Sequence, residues 1–202
     1  MTSANSPEHI DTGRGLSWYV LRDLKRPNAK LPAYKQLSDE HFEVFTPMKW
    51  SLSEKGGKHE RRLIPVMQDL LFVHTTKLKI EPIIQKTKTL QFRFDRGGYL
   101  KPLVVPEEDM TRFIRAVNSS DNPVYYMPGE VTSEMCGRMV RIIGGPLSGY
   151  EGNLLKIRGS RTQRLIVELP NFITAGIEVE PEYIQFIDSP SSKSDLSNAP
   201  AR

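Results

Sequence analysis

MVRIIGGPLSGYEGNLLKI, residues 139–157, is the stretch on which the fold is decided. Two apolar runs, MVRII and NLLKI, flank GGPLSGYEG (144–152), which holds four glycines and one proline. Gly145-Pro146 turns the chain, while Gly149 and Gly152 either take φ > 0 or let another strand approach closely. From Gly137 onward the chain reads as all β. GRMVRII, GNLLKI, QRLIVEL, IEVE and YIQFI are short runs at close spacing, separated by turn residues. Five such runs predict a small barrel over residues 137–188. A unit of that size has little core, so each apolar strand position counts.

Working outward, SSDNPVYYMPGEVTSEMC (119–136) breaks the pattern with Pro, Gly, Ser and Asn and reads as a linker, with Tyr125 and Tyr126 placed to pin part of it. Upstream, strands and helices are interspersed. WYVLRD has the bulky, β-favouring residues of a strand. AYKQLSDE follows Pro32 as a short helix, and FEVFTPMKWSL reads as one strand made irregular by Pro47. KGGKHE is a basic Gly-Gly turn, and LLFVHT is a strongly apolar strand. IEPIIQKTKT predicts a helix with Pro82 in its first turn. LQFRFD alternates with period two, which places Leu90, Phe92 and Phe94 on one side, and DRGG turns the chain. Pro106 and the acids Glu107, Glu108 and Asp109 open a last helix, with Met110, Phe113, Ile114 and Val117 on its buried face. The order β-α-β-β-α-β-α predicts an α+β domain over 17–118, an antiparallel sheet flanked by helices. Residues 1–16 and 189–202 read as loose, disordered tails.

Composition narrows the function. The chain has 202 residues, 38% hydrophobic and 26% charged. No apolar run approaches the ~20 residues of a membrane span, and MTSANSPEHIDTGRG lacks the basic and apolar regions of a signal peptide. Cys136, the single cysteine, fits a reducing cytoplasm. The net charge of +4 is uneven: residues 18–118 hold 19 Lys and Arg against 12 Asp and Glu. A basic domain of this kind approaches nucleic acid or an acidic protein surface, or is simply a solvated basic surface. Nothing here suggests an enzyme. There is no phosphate-binding glycine loop, and His9, His41, His59 and His74 are scattered without zinc spacing. Cys136 has no histidine near it in sequence. Neither a metal nor a cofactor is expected.

The strand, Gly-Pro turn, aromatic, Gly and second strand of 139–157 resemble a KOW motif, with Val140, Ile142, Gly144, Pro146, Gly149, Tyr150, Gly152 and Leu154 in its register. KOW modules occur in ribosomal proteins and in the NusG family of transcription elongation factors. The upstream half resembles the latter. WYVLR and FEVFTPM resemble the first two strands of the NusG N-terminal domain, and PVMQDLLFV resembles the family's FPGYVLV or FPNYLFV segment. LQFRFDRGG and PEEDM resemble its next strand, glycine turn and last helix. The resemblance covers about residues 17–188. It implies an SH3-like KOW barrel joined by the linker to a domain that binds the β′ clamp helices of RNA polymerase. It also implies a cytoplasmic, monomeric factor that suppresses pausing or termination. The barrel would recruit a small-subunit ribosomal protein, Rho or an antitermination component. The FTPM and LLFVH wording is closer to specialised RfaH-like or UpxY-like paralogues, which act on particular operons such as surface polysaccharide clusters. Where the family has Pro-Gly or Pro-Asn before an aromatic, this chain has Gln68-Asp69 and then Leu70.

By this resemblance Met67, Gln68, Leu70, Phe72, Phe92, Phe94, Phe45 and Met48 are the polymerase-binding candidates; core packing is the plainer reading for Phe92 and Phe94, Met67 and Leu70, and Phe45. Lys55, Lys58, Arg61 and Arg62 form a basic cluster for non-template DNA, nascent RNA or a polymerase loop, or else a solvated loop. Leu147, Tyr150 and Phe172 are candidates for the KOW partner surface, with Tyr150 alternatively a lid on the barrel. Gly144, Pro146, Gly149 and Gly152 are structural. The other functional reading is a KOW-containing RNA- or ribosome-binding protein without polymerase affinity.

Overall fold

The chain runs β1 (Ser17–Asp23), α1 (Ala33–Asp39), β2 (Glu43–Phe45), β3 (Met48–Lys55), β4 (Lys58–Pro65), β5 (Leu71–Thr75), α2 (Lys77–Lys86), β6 (Leu90–Phe92), β7 (Val104–Val105), α3 (Glu107–Asn118) and β8 (Val124–Tyr126). It continues through β9 (Cys136–Ile142), β10 (Glu151–Leu155), β11 (Arg164–Leu169), β12 (Ile173–Glu178) and β13 (Ile184–Phe186), with single 3-10 turns at Ser133–Met135 and Pro181–Tyr183. The computed structural model describes residues 15–26, 29–95, 100–156, 159 and 162–187. The architecture is mixed α/β, its strands gathered into antiparallel sheets. Two compact units divide between Ile114 and Arg115, inside α3.

In the first unit the sheet order is β2-β5-β1-β6, with β7 also paired to β1. β1 is central, and Tyr19, Val20 and Leu21 are fully buried, as an unbroken apolar run requires when both sheet faces are covered. On one face Tyr19 and Leu21 pack with Ala33 and Leu37 of α1 and Ile80 of α2. On the other, Phe72 tilts against Phe45 at 6.2 Å, and Phe45 meets Phe113 of α3 edge-on at 6.1 Å. The three acids of the first turn of α3 complement the helix dipole. α1 starts differently. Its N-cap, Pro32, offers no side-chain acceptor. Asp23 at the end of β1 supplies one instead, accepting the Ala33 amide at 2.6 Å and the Lys25 amide at 3.0 Å.

Several local expectations shift. FEVFTPMKWSL is two strands, because at Pro47 the chain leaves the main sheet and, among the described residues, β3 pairs only with β4. The Thr46 hydroxyl donates to the Leu70 carbonyl at 2.9 Å and fixes that exit. Helix α2 begins at Lys77, so Pro82 lies in its interior rather than its first turn and forgoes one main-chain bond. Period-two alternation ends at Phe92: Leu90 and Phe92 are buried, but Phe94 forms only an isolated bridge to Pro102 and is 46% exposed. The turn placed over 95–98 lies outside the described residues after Asp95, as do the two tails apart from Gly15 and Leu16.

In the second unit six strands follow the order β13-β9-β10-β11-β12-β8. Strand β11 alternates cleanly, with Leu165, Val167 and Leu169 buried. The sixth strand comes from the stretch expected to be a linker: Val124–Tyr126 pairs with Thr174, Ala175 and Gly176 of β12. A bare linker therefore does not describe 119–136. β12 covers Ile173–Glu178, earlier than IEVE suggests: its first half is held by pairing on both sides, with Thr174, Ala175 and Gly176 each paired between β11 and β8.

Candidate functional site

The register places Leu71, Leu21 and Phe92 in one row across the first sheet. Beyond that row lies the turn Met67–Leu70. Asp69 anchors it, reaching Arg93 at 3.0 Å and Arg22 at 3.5 Å, while Arg93 also donates to the Asp69 carbonyl at 3.2 Å. The turn is thus tied to the end of β6, next to Phe94. Of the residues the resemblance nominates, Leu70, Phe72 and Phe92 are buried. Phe92 stands edge-on to Tyr19 at 5.7 Å inside the core. Phe45, Met48 and Met67 are half-buried, and Gln68 is exposed. Phe94 stands edge-on to Phe92 at 6.3 Å with its outer side in solvent. The exposed members of the set are therefore Gln68 and Phe94; Met67 shares the turn with Gln68 and, like Phe45 and Met48, is half-buried. The arginine–aspartate clamp that holds that turn was not foreseen. Arg22 and Arg93 lie 71 positions apart in the sequence, and only strand pairing brings them together.

The basic cluster lies on the β3–β4 hairpin. Gly56 and Gly57 take φ of 60° and 74°, the left-handed pair that a two-residue hairpin turn demands. Trp50 pairs with Leu63 and Leu52 with Arg61, so alternation puts these four on one face. Lys49, Ser51, Arg62 and Ile64 lie on the other. Trp50, Leu52 and Leu63 are 46%, 68% and 46% exposed, and the Arg61 guanidinium lies 4.3 Å above the Trp50 ring. Arg62 bonds Glu60 through Nε at 2.9 Å, and Lys58 is exposed. The Lys55 side chain lies outside the described residues. The apolar face escaped notice because five cations dominate the segment's composition; reading alternate positions on either side of Gly56-Gly57 would have found it.

A second unforeseen cluster centres on His74. Its ring stacks on Trp18 at 4.9 Å and lies between two carboxylates, with Nδ1 at 2.7 Å from Glu43 and Nε2 at 3.2 Å from Glu107. It joins β5, β2 and the start of α3.

In the glycine-rich turn the Gly149 amide donates to the Ile142 carbonyl at 2.7 Å, and the Ile142 amide donates to the Tyr150 carbonyl at 2.8 Å. The turn folds back on its own strand. Gly149 has φ +87° with open space around it, so its role is conformational. Gly152 serves packing: a Cβ there would come to 2.9 Å from the Ile166 carbonyl oxygen. Gly144 lies under the Tyr183 ring, which leaves no room for a Cβ. Pro146 is exposed. Leu147 and Tyr150 are only 4% and 7% exposed and Phe172 is half-buried, so the three do not form an open partner surface. Among the described residues of this unit the exposed large apolar side chains are instead Met139, Ile143 and Phe186, with Arg138 stacked over Phe186 at 3.9 Å.

Among the described residues no cluster of three or more His, Cys, Asp or Glu converges to hold a metal. No helix among them is long and apolar enough to cross a membrane. No family model matches the sequence, and no curated protein does. Among solved structures the chain is similar to one of Thermotoga maritima NusG, determined for its domain interaction. The identity is 16% over 87% of this chain and 99% of that one, with a TM-score of 0.45.

Proposed function

We propose that the chain is a transcription elongation or antitermination factor of the NusG kind. Its first unit binds the β′ clamp helices of RNA polymerase, and its second, a KOW barrel, recruits a ribosomal protein, Rho or an antitermination component. The observation that carries the reading is the strand–turn–strand of β9 and β10. Its glycines answer to distinct needs, a positive φ at Gly149 and strand contact at Gly152, at the positions where a KOW motif has them. The α+β sheet upstream, with strands where the NusG-like segments fall, supports the same reading. The polymerase contact is assigned to Met67, Gln68 and Phe94, because Leu70, Phe72 and Phe92 are committed to the core. The wording of FTPM and LLFVH favours a specialised, UpxY-like role at particular operons. The factor acts in the cytoplasm as a monomer and needs no cofactor.

The test is affinity of the full chain for core RNA polymerase. Wild type binds, and Phe94→Ala weakens binding about tenfold with its unfolding midpoint unchanged. Absence of binding by the wild type sinks the proposal. The exposed cationic hairpin favours one further reading, an RNA- or ribosome-binding protein without polymerase affinity. In that case RNA is bound and polymerase is not.

A further inference from the structure

Among the described residues the β3–β4 hairpin is a ribbon with no third strand. Its two faces differ in kind. One carries Trp50, Leu52, Leu63 and Arg61 together with the facing pair Glu54 and His59; the other carries Lys49, Lys58 and Arg62, with Glu60 ion-paired to Arg62. Over residues 48–65 the ribbon holds five Lys and Arg against two Glu. Trp50, Leu52 and Leu63, all exposed on one face with a guanidinium 4.3 Å above the Trp50 ring, form the kind of apolar patch that marks an interaction site.

We propose that this ribbon is a binding site for single-stranded RNA. The stack of Arg61 on Trp50 is extended by an unpaired base, since bases stack on both aromatic rings and guanidinium planes. Leu52 and Leu63 border the stack with apolar surface. A strand laid along the open edge of the ribbon turns its bases toward this face and its phosphates toward the face that holds Lys49, Lys58 and Arg62. The choice of RNA over DNA comes from Glu54. A carboxylate on the stacking face repels phosphate but accepts a hydrogen bond from a ribose 2′-hydroxyl, a donor that DNA lacks. A protein partner fits the ribbon less well, because its excess of cations would need an acidic surface as well as an apolar one. The proposal sharpens the nucleic-acid reading of the hairpin and does not depend on polymerase binding.

The test uses the full chain and the anisotropy of a labelled, unstructured oligoribonucleotide, compared with the DNA strand of the same sequence, its duplex, and an acidic peptide. Wild type binds the RNA most tightly. Trp50→Ala weakens RNA binding about tenfold or more, leaves the slope of log affinity against log salt unchanged, and keeps the far-UV circular dichroism. Trp50→Tyr restores most of the loss. Glu54→Ala lowers the RNA-to-DNA affinity ratio toward one; a carboxylate that acted only by repulsion would raise both affinities and leave the ratio alone. Equal affinity of the wild type for RNA and DNA, a preference for duplex or peptide, or an unaffected Trp50→Ala variant overturns the proposal. If RNA binding persists while polymerase binding is absent, only the polymerase reading fails.

Discussion

At the scale of single residues, burial decides what each substitution tests. Asp23 is 6% exposed and bonded to two main-chain amides, one of them the first of α1. Asp23→Ala leaves both donors without their acceptor in a buried setting, and the expected cost is about 2 kcal/mol, read by urea denaturation. A loss below ~0.5 kcal/mol would mean that water replaces the carboxylate at little cost. Phe92 belongs to the same core, so Phe92→Ala costs about 3–5 kcal/mol. Any fall in polymerase affinity that follows would report unfolding, which makes Phe92 and Leu70 poor probes of an interface. Gly152→Ala forces a Cβ against the Ile166 carbonyl, and about 1–3 kcal/mol is lost as the strands part. Gly149→Ala meets no neighbour, so its cost of about 1 kcal/mol is backbone strain alone. Thermal melts of the two variants separate packing from conformation; equal shifts would contradict this division.

Among elements, the hairpin and the core sheet contrast. The hairpin pairs fully from Met48–Pro65 to Lys55–Lys58, yet Trp50, Leu52 and Leu63 remain exposed. Replacing residues 50–63 with a short Gly-Ser turn is therefore expected to change stability by about 1 kcal/mol or less while abolishing nucleic-acid binding. A larger loss, seen in denaturant melts, would mean that the ribbon supports the sheet. The same contrast explains what could be read in advance. Strand β1 and helix α3 carry their burial in local periodicity: a continuous apolar run in one, acids followed by spaced apolar residues in the other. The hairpin's two faces were blurred because charge on one averages out apolar residues on the other. Strand β8 is three residues, VYY, between Pro123 and Pro128, with no pattern long enough to register. It exists because β12 has an edge to pair with, a distant contact that no local window contains. Tyr150 misled for a related reason: an aromatic in a glycine turn reads as exposed, and its burial follows from how the turn folds back. For the residues nominated by resemblance, the sequence could not tell core from surface: Leu70, Phe72 and Phe92 are buried, while Gln68 and Phe94 are exposed. Which of them face outward was settled by Asp69 holding the turn against Arg22 and Arg93.

For the whole molecule, the position of the unit boundary is itself testable. The division falls between Ile114 and Arg115, yet Ala116 and Val117, beyond it on the same helix, are 0% and 9% exposed. β8 lies inside the apparent linker and supplies β12 with its outer neighbour. The Met135 carbonyl, also before Gly137, accepts the Lys156 amide at 2.8 Å. A fragment that starts at residue 137 loses both, although it keeps every strand that hydropathy alone assigns to the barrel. A fragment that starts at residue 119 keeps them. Three residue pairs of the β8–β12 ladder, the Cys136–Leu155 pair and one further main-chain bond, at a net value of roughly 0.5–1.5 kcal/mol per hydrogen bond, amount to a few kcal/mol after the entropy of ordering the segment is subtracted. In a unit of this size each kcal/mol moves the melting midpoint by about 4–8 °C. The fragment 119–187 should thus melt about 10 °C above 137–187, if the shorter one folds at all, and hydrogen exchange should show the amides of Thr174–Gly176 losing protection in the shorter fragment alone. Equal midpoints and equal protection would return residues 119–136 to the status of a linker.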